Sequence, residues 1–242
     1  MSLLAFEPSR FPGIFIDDNS PGFFGPAASA LRDLARLKIG YDILDIISKR
    51  TRGIGIGGVN PTPDRLKCVV RRGPGTMVDE RKENTFAYRA KDPLTPISND
   101  LSNAESVAVD YTHTSRRKRK LVGGHEITIA GTGYSAVATF EPMADYTTFL
   151  NGITTPGYVA LGHELIHCMH YLSGDTNMFS DDDAWGAGDT YTKHEEARTV
   201  GLGIYAKTRI SENAIRREAG LPLRTFYSDP GDCDGLTSAL RP

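Results

Sequence analysis

His163 and His167 stand four positions apart in the run Leu161–Cys168, and Glu164 follows the first of them. On a helix, residues four apart share a face, so the two imidazoles can point at one ion. Neutral imidazoles at that spacing suit zinc, and the carboxylate beside them can activate a zinc-bound water. The chemistry would be hydrolysis of a peptide bond. A competing reading is a core helix whose histidines are satisfied by hydrogen bonds. The flanks bear on this choice. Tyr158, Val159, Leu161, Leu165, Ile166, Met169 and Leu172 make the run apolar. Buried imidazoles and a carboxylate there need partners.

A catalytic zinc takes three protein ligands and keeps one position open. His170 faces the same way as His167 but lies a turn farther along, and three ligands from one straight helix surround a tetrahedral ion poorly. His170 is therefore read as a supporting or packing residue. Ser173 stands where a metzincin needs its third histidine, which removes that class. Glu195 and Glu196 remain, in His194–Gly201. Thr192 as N-cap would assign Glu195 to a capping box, leaving Glu196 on the face shared with Val200 and Ile204. That argument selects Glu196 as the third ligand, against Glu195 and against a solvated Glu pair.

The segments His163–His170 and Glu195–Gly201 resemble the two zinc segments of the clostridial neurotoxin light chains, as do Ser211-Glu212-Asn213 and Arg224-Thr225-Phe226-Tyr227. The resemblance implies that the second Glu of the pair, Glu196, is a zinc ligand. It also implies that Glu212 supports the site from twelve residues before Arg224, and that Arg224 and Tyr227 line it and assist the transition state. The runs Glu195–Gly203 and Ser211–Arg224 are more closely similar to the NleD-like effector metalloproteases, peptidase family M91, over roughly residues 145–230. These are zinc proteases injected into host cells by bacterial type III secretion. The resemblance implies a zinc endopeptidase of the HExxH-plus-Glu, gluzincin type, with one Zn²⁺ per chain. It implies action in the host cytoplasm on host proteins, with mitogen-activated protein kinases as candidates.

The elements that must position these residues follow from periodicity. Thr155 and Pro156 are suitable as N-cap and first residue of the zinc helix, and Gly174 as its stop. Ser211 and Gly220 bound a short helix that starts with Glu212. Leu31, Leu34, Tyr41, Leu44 and Ile47 recur at helical spacing, with a break expected near Gly40. Strands are expected over residues 66–72, 106–111, 121–130 and 134–140, the last two joined by a turn at Gly131-Thr132-Gly133. The stretch 73–103 reads as a surface excursion, and residues 1–26 as an extended or flexible lead-in compatible with a secretion signal. The glycine-rich run Gly53–Gly58 lacks the ending of a phosphate loop and reads as a turn. The expected fold is α+β: one zincin-like domain over residues 27–242, with a small sheet in the N-terminal half and helices carrying the zinc site in the C-terminal half.

Composition fits that picture. The chain has 242 residues, 39% hydrophobic and 24% charged, with a formal net charge of −2. This balance gives no general attraction to nucleic acid or membrane. No apolar run is long enough to span a bilayer, and the N-terminus does not read as a conventional secretory signal. Three cysteines, Cys68, Cys168 and Cys233, fit a reduced compartment better than a disulfide framework. The dense basic run Arg116–Lys120 reads as a solvated loop between strands, with acidic-substrate or nucleic-acid contact as alternatives. A monomer binding neither nucleic acid nor membrane is expected. The alternative function is a non-enzymatic binding protein with a structural zinc, its fourth ligand supplied by His170 or Cys168.

Overall fold

A computed structural model describes residues 3–18, 20–52, 66–72, 85–90, 104–106, 117–120, 126–129, 133, 135–142, 153–175 and 189–226. The architecture is mixed, with a six-stranded sheet packed on helices. The strands are β1 (Leu3–Ala5), β2 (Ile14–Asp17), β3 (Cys68–Arg72), β4 (Thr85–Ala90), β5 (Ala104–Ser106) and β8 (Ser135–Phe140), in the order β1-β2-β3-β8-β4-β5. Strand β3 lies parallel to β2 and to β8, and the outer pairs are antiparallel. β6 (Arg117–Lys120) and β7 (Glu126–Ile129) form a separate antiparallel ribbon.

A parallel pair needs a long crossover. Helices α1 (Phe24–Arg36) and α2 (Lys38–Thr51) fall between β2 and β3. Side chains alternate across the sheet. Ile14, Ile16, Cys68, Val70, Ala136 and Ala138 join the helices in one core, while Leu3, Val69 and Val137 pack with Phe15 in a second cluster. The apolar helix α3 (Gly157–Ser173) contributes Val159, Leu161, Leu165, Ile166 and Leu172 to the main core. Its close approach to its neighbours depends on Gly162, where a Cβ would come within 2.8 Å of Ile215 Cδ1 and 3.2 Å of Leu34 Cδ1. Two further helices, α4 (Asp189–Val200) and α5 (Glu212–Glu218), complete the set that bears on α3.

Several expectations need correction. Residues 3–17 are not a free lead-in: β1 and β2 are sheet strands, and Phe6, Phe11, Ile14 and Ile16 are buried. The break between α1 and α2 falls at Leu37, which is extended (φ −84, ψ 141), rather than at Gly40. Gly40 has another role, since a Cβ there would sit 2.0 Å from the Leu34 carbonyl oxygen. The supposed surface excursion contains β4, paired to both β8 and β5. Strands β7 and β8 belong to different sheets, and residues 131 and 132 of the expected turn lie outside the described residues. Most of the basic run is itself a strand, β6, rather than a loop. Sheet and helices also interleave along the chain instead of dividing into halves. The glycine-rich run 53–58, residues 107–111 and Cys233 lie outside the described residues. Among the described residues, no helix is long and apolar enough to cross a membrane.

Candidate metal centre

Helix α3 starts one residue later than its sequence suggests. Pro156 is the N-cap, and Thr155 instead accepts a hydrogen bond from Arg216. The helix ends as expected at Gly174, in the left-handed region at φ 58, where a side chain would be strained. Between these ends, His163 and His167 project from the same face. Their Nε2 atoms are 3.2 Å apart, and Glu196 Oε2 of α4 lies 3.1 Å from the first and 3.2 Å from the second. Three donors thus converge on one point.

This arrangement can be compared with a metal. Zinc bonds of about 2.0–2.1 Å at tetrahedral angles set ligand atoms about 3.3 Å apart. The three observed separations fall close to that value. Two imidazoles and one carboxylate are also a donor set that zinc accepts. His163, His167 and Glu196 therefore fit the ion. His167, His170 and Glu195 form a second cluster of possible ligands. There, however, His170 Nδ1 is hydrogen-bonded directly to Glu195 Oε1.

Each histidine has a carboxylate behind it. His163 Nδ1 donates to Glu212 Oε2 at 3.0 Å. The same oxygen accepts from Arg224 at 2.9 Å, and Glu212 Oε1 accepts from Arg216 Nε at 2.7 Å. His167 Nδ1 faces Thr199 Oγ1 at 3.4 Å and Glu195 Oε1 at 3.7 Å. Glu195 is not the helix cap that its sequence suggests. Helix α4 begins at Asp189, so Thr192 is inside it and Glu195 caps nothing. Glu195 is 4% exposed and bound to His170. His170 contacts Glu195 rather than the point where the three donors meet.

Electrostatics follow from this enclosure. Burial pushes the Glu212 carboxyl up, but the His163 hydrogen bond and the Arg224 and Arg216 charges outweigh it and bring it down to about 2. Glu196 is opposed by the same burial, yet the two imidazoles hold it far below the carboxylate range. Burial pushes His163 down, and Glu196 and Glu212 more than reverse this, raising it to about 9. His167 is likewise raised against its burial, mainly by Glu196. His170 moves the other way: burial and the nearby Arg198 charge favour neutral imidazole.

Glu164 is half-buried beside His163, and its charge reaches His167. Arg224 is held by Glu212 and by Asn213, whose side chain accepts from the Arg224 backbone N–H and donates to its carbonyl oxygen. Tyr227 lies outside the described residues. Cys168 points into the core, where it contacts Cys68. Sequence reasoning missed the contacts made by Thr155, Thr199 and Arg216. The last had a visible signal, since Glu212 and Arg216 are four apart in a helix.

Two buried histidines and a half-buried Glu196, with a further carboxylate close behind each histidine, define a candidate metallopeptidase centre. The effector protein family of the M91 peptidases matches residues 89–227, more than half of the chain, and the protein belongs to that family. No curated protein matches the chain.

Proposed function

We propose that the protein is a zinc-dependent endopeptidase, a single zincin-like domain that includes strands β1 and β2, delivered into host cells to cleave host proteins. The observation that carries this reading is the convergence of His163 Nε2, His167 Nε2 and Glu196 Oε2 within 3.2 Å of one another. Membership of a peptidase effector family supports the substrate class, a host protein.

Zinc held there would supply a Lewis acid that polarises a substrate carbonyl and acidifies water. The chain's own groups do the rest. Glu164 takes a proton from the attacking water and returns it to the leaving amine. Arg224 and the Tyr227 hydroxyl donate to the oxygen that gains charge. Glu212 fixes the ring of His163 and the guanidinium of Arg224 through one oxygen, so metal ligand and oxyanion donor are oriented together. The structural-zinc alternative loses support from the same contacts. Cys168 is directed at Cys68 and His170 at Glu195, so neither is free to close a fourth position.

The test is zinc per chain by elemental analysis, with Glu196→Ala and Glu164→Ala beside the wild type. The expectation is one zinc in the wild type and in Glu164→Ala, and none in Glu196→Ala. New protein N-termini in host lysate should then appear with the wild type and not with Glu164→Ala. Mitogen-activated protein kinases are the candidates that the resemblance implies, and an unchanged set of kinases would remove them. Export by a type III system, with a signal in residues 1–26, is part of the same proposal. It is tested by fusing those residues to a reporter.

A further inference from the structure

We propose that Glu195 is a positioning residue for His167: it holds the ring in the tautomer and orientation that turn Nε2 toward the metal. This rests on the metal-site reading above and extends it to a residue that the sequence offered as a helix cap or as the alternative third ligand. The two ligand histidines need the same service, because an imidazole bound through Nε2 must keep its proton on Nδ1 and give it an acceptor. At His163 that acceptor is Glu212, anchored by Arg216 and Arg224. At His167 the facing carboxylate is Glu195, with Oε1 3.7 Å from Nδ1. Thr199 Oγ1 lies 3.4 Å from the same atom, within hydrogen-bond distance. The Glu195 carboxylate behind it acts through its charge, which favours a proton on the near side of the ring.

Glu195 is itself built in. Its Oε1 is bound by His170 Nδ1, and Arg198 stands 3.8 Å from its Oε2. Arg198 pairs with Asp175 Oδ2 at 2.8 Å, just past the Gly174 stop of α3. The chain of contacts thus runs from His167 through Glu195 to His170, one turn farther along α3, and through Arg198 to the end of the same helix. Glu195 also precedes Glu196 in α4. One carboxylate faces the point where the metal ligands meet and its neighbour faces the back of His167, so α4 meets this histidine on both of its ring nitrogens.

The experiment compares wild type, Glu195→Gln, Glu195→Asp and His170→Gln as full chains. Two quantities are read: the rate of zinc transfer to a chromophoric chelator, and the thermal midpoint of the metal-free protein. Glu195→Gln should release zinc about 10–100-fold faster at temperatures where the metal-free variant is still fully folded, whatever the loss in its midpoint. Glu195→Asp, which keeps the charge, should recover part of the retention. The visible spectrum of the Co²⁺-loaded protein should change in Glu195→Gln, reporting altered ligand geometry. A merely structural Glu195 would leave the release rate of the folded variant at the wild-type value, and that result overturns the inference. Should Glu195→Gln fail to fold, His170→Gln decides: faster release supports the inference, and a wild-type rate overturns it. A wild type that retains no zinc fails the metal-site reading itself, which separates the two failures.

Discussion

At the scale of residues, the site is a problem in proton placement. Glu196 and Glu212 raise His163 to about 9 when no ion is present, although burial opposes the charge. A folded value above the free imidazole value means that the metal-free protein carries this proton at neutral pH. A zinc ligand must be neutral, so binding near pH 7 displaces the proton. His167, also raised, adds to the effect. Apparent zinc affinity should therefore climb with pH from the free-imidazole value toward about 9, roughly tenfold per unit for each displaced proton. Calorimetry in two buffers of different ionisation enthalpy measures the release. Equal heats in both would show that the histidines are already neutral. The same linkage sets the metal-free stability. The contribution of His163 is present below its unfolded value and fades as pH rises through about 9. That of Glu212 is present above the ordinary carboxylate value and is lost as pH falls toward about 2.

Catalysis separates from binding at the same scale. Glu164 is not among the three converging donors. Glu164→Gln should leave zinc content unchanged and reduce peptide cleavage by about 10²–10⁴-fold, the usual range for a lost general base. Single-turnover cleavage by zinc-loaded protein is the readout. Activity near wild type would transfer the proton to another group.

At the scale of elements, packing explains both what the sequence disclosed and what it concealed. Helix α3 was legible because its apolar run is long, its four-residue histidine spacing is helical, and Gly174 stops it. The cap at Ser211 was legible for a similar local reason: its side chain accepts from the Ala214 N–H. Glu195 was misread because a capping box and a helix interior look alike when the start of the helix is misplaced by four residues. The helix break was expected near Gly40, and glycine does disfavour helices by about 1 kcal/mol. The glycine is there for another reason, the contact of α2 with the Leu34 carbonyl. Gly40→Ala should therefore destabilise, although alanine is the better helix former. A Cβ 2.0 Å from a backbone oxygen forces α1 and α2 apart, at a net cost of at least about 1–3 kcal/mol. Urea unfolding measures it, and a stabilised variant would refute the packing account. Sheet order was the least legible feature. Pairing β3 with β8 joins residues separated by more than sixty positions, and no local pattern encodes that partner.

At the scale of the whole molecule, the family match and the folded unit have different limits. The match begins at residue 89, yet the metal helix leans on elements that precede it. Leu34 of α1 packs against Gly162, Cys68 of β3 meets Cys168, and Asp42 of α2 pairs with Arg209 near the start of α5. Even the first strands belong to this unit, because Phe6, Phe11, Ile14 and Ile16 are each at most 1% exposed. Burying a large apolar side chain is worth about 1.5–3 kcal/mol, so these four together contribute about 6–12 kcal/mol. That is comparable to the entire stability of an ordinary domain, about 5–15 kcal/mol. A chain beginning at residue 18 should therefore not fold cooperatively, and it should lose zinc retention even though every candidate ligand is still present. Near-ultraviolet circular dichroism and zinc content of residues 18–242 beside the full chain make the comparison. A cooperative melt with retained zinc would show that β1 and β2 are an appendage. Loss of both would mean that any export signal within residues 1–26 is written into strands that the folded enzyme also needs. Such a signal could be read only while the chain is unfolded, and the same residues would close the sheet after delivery.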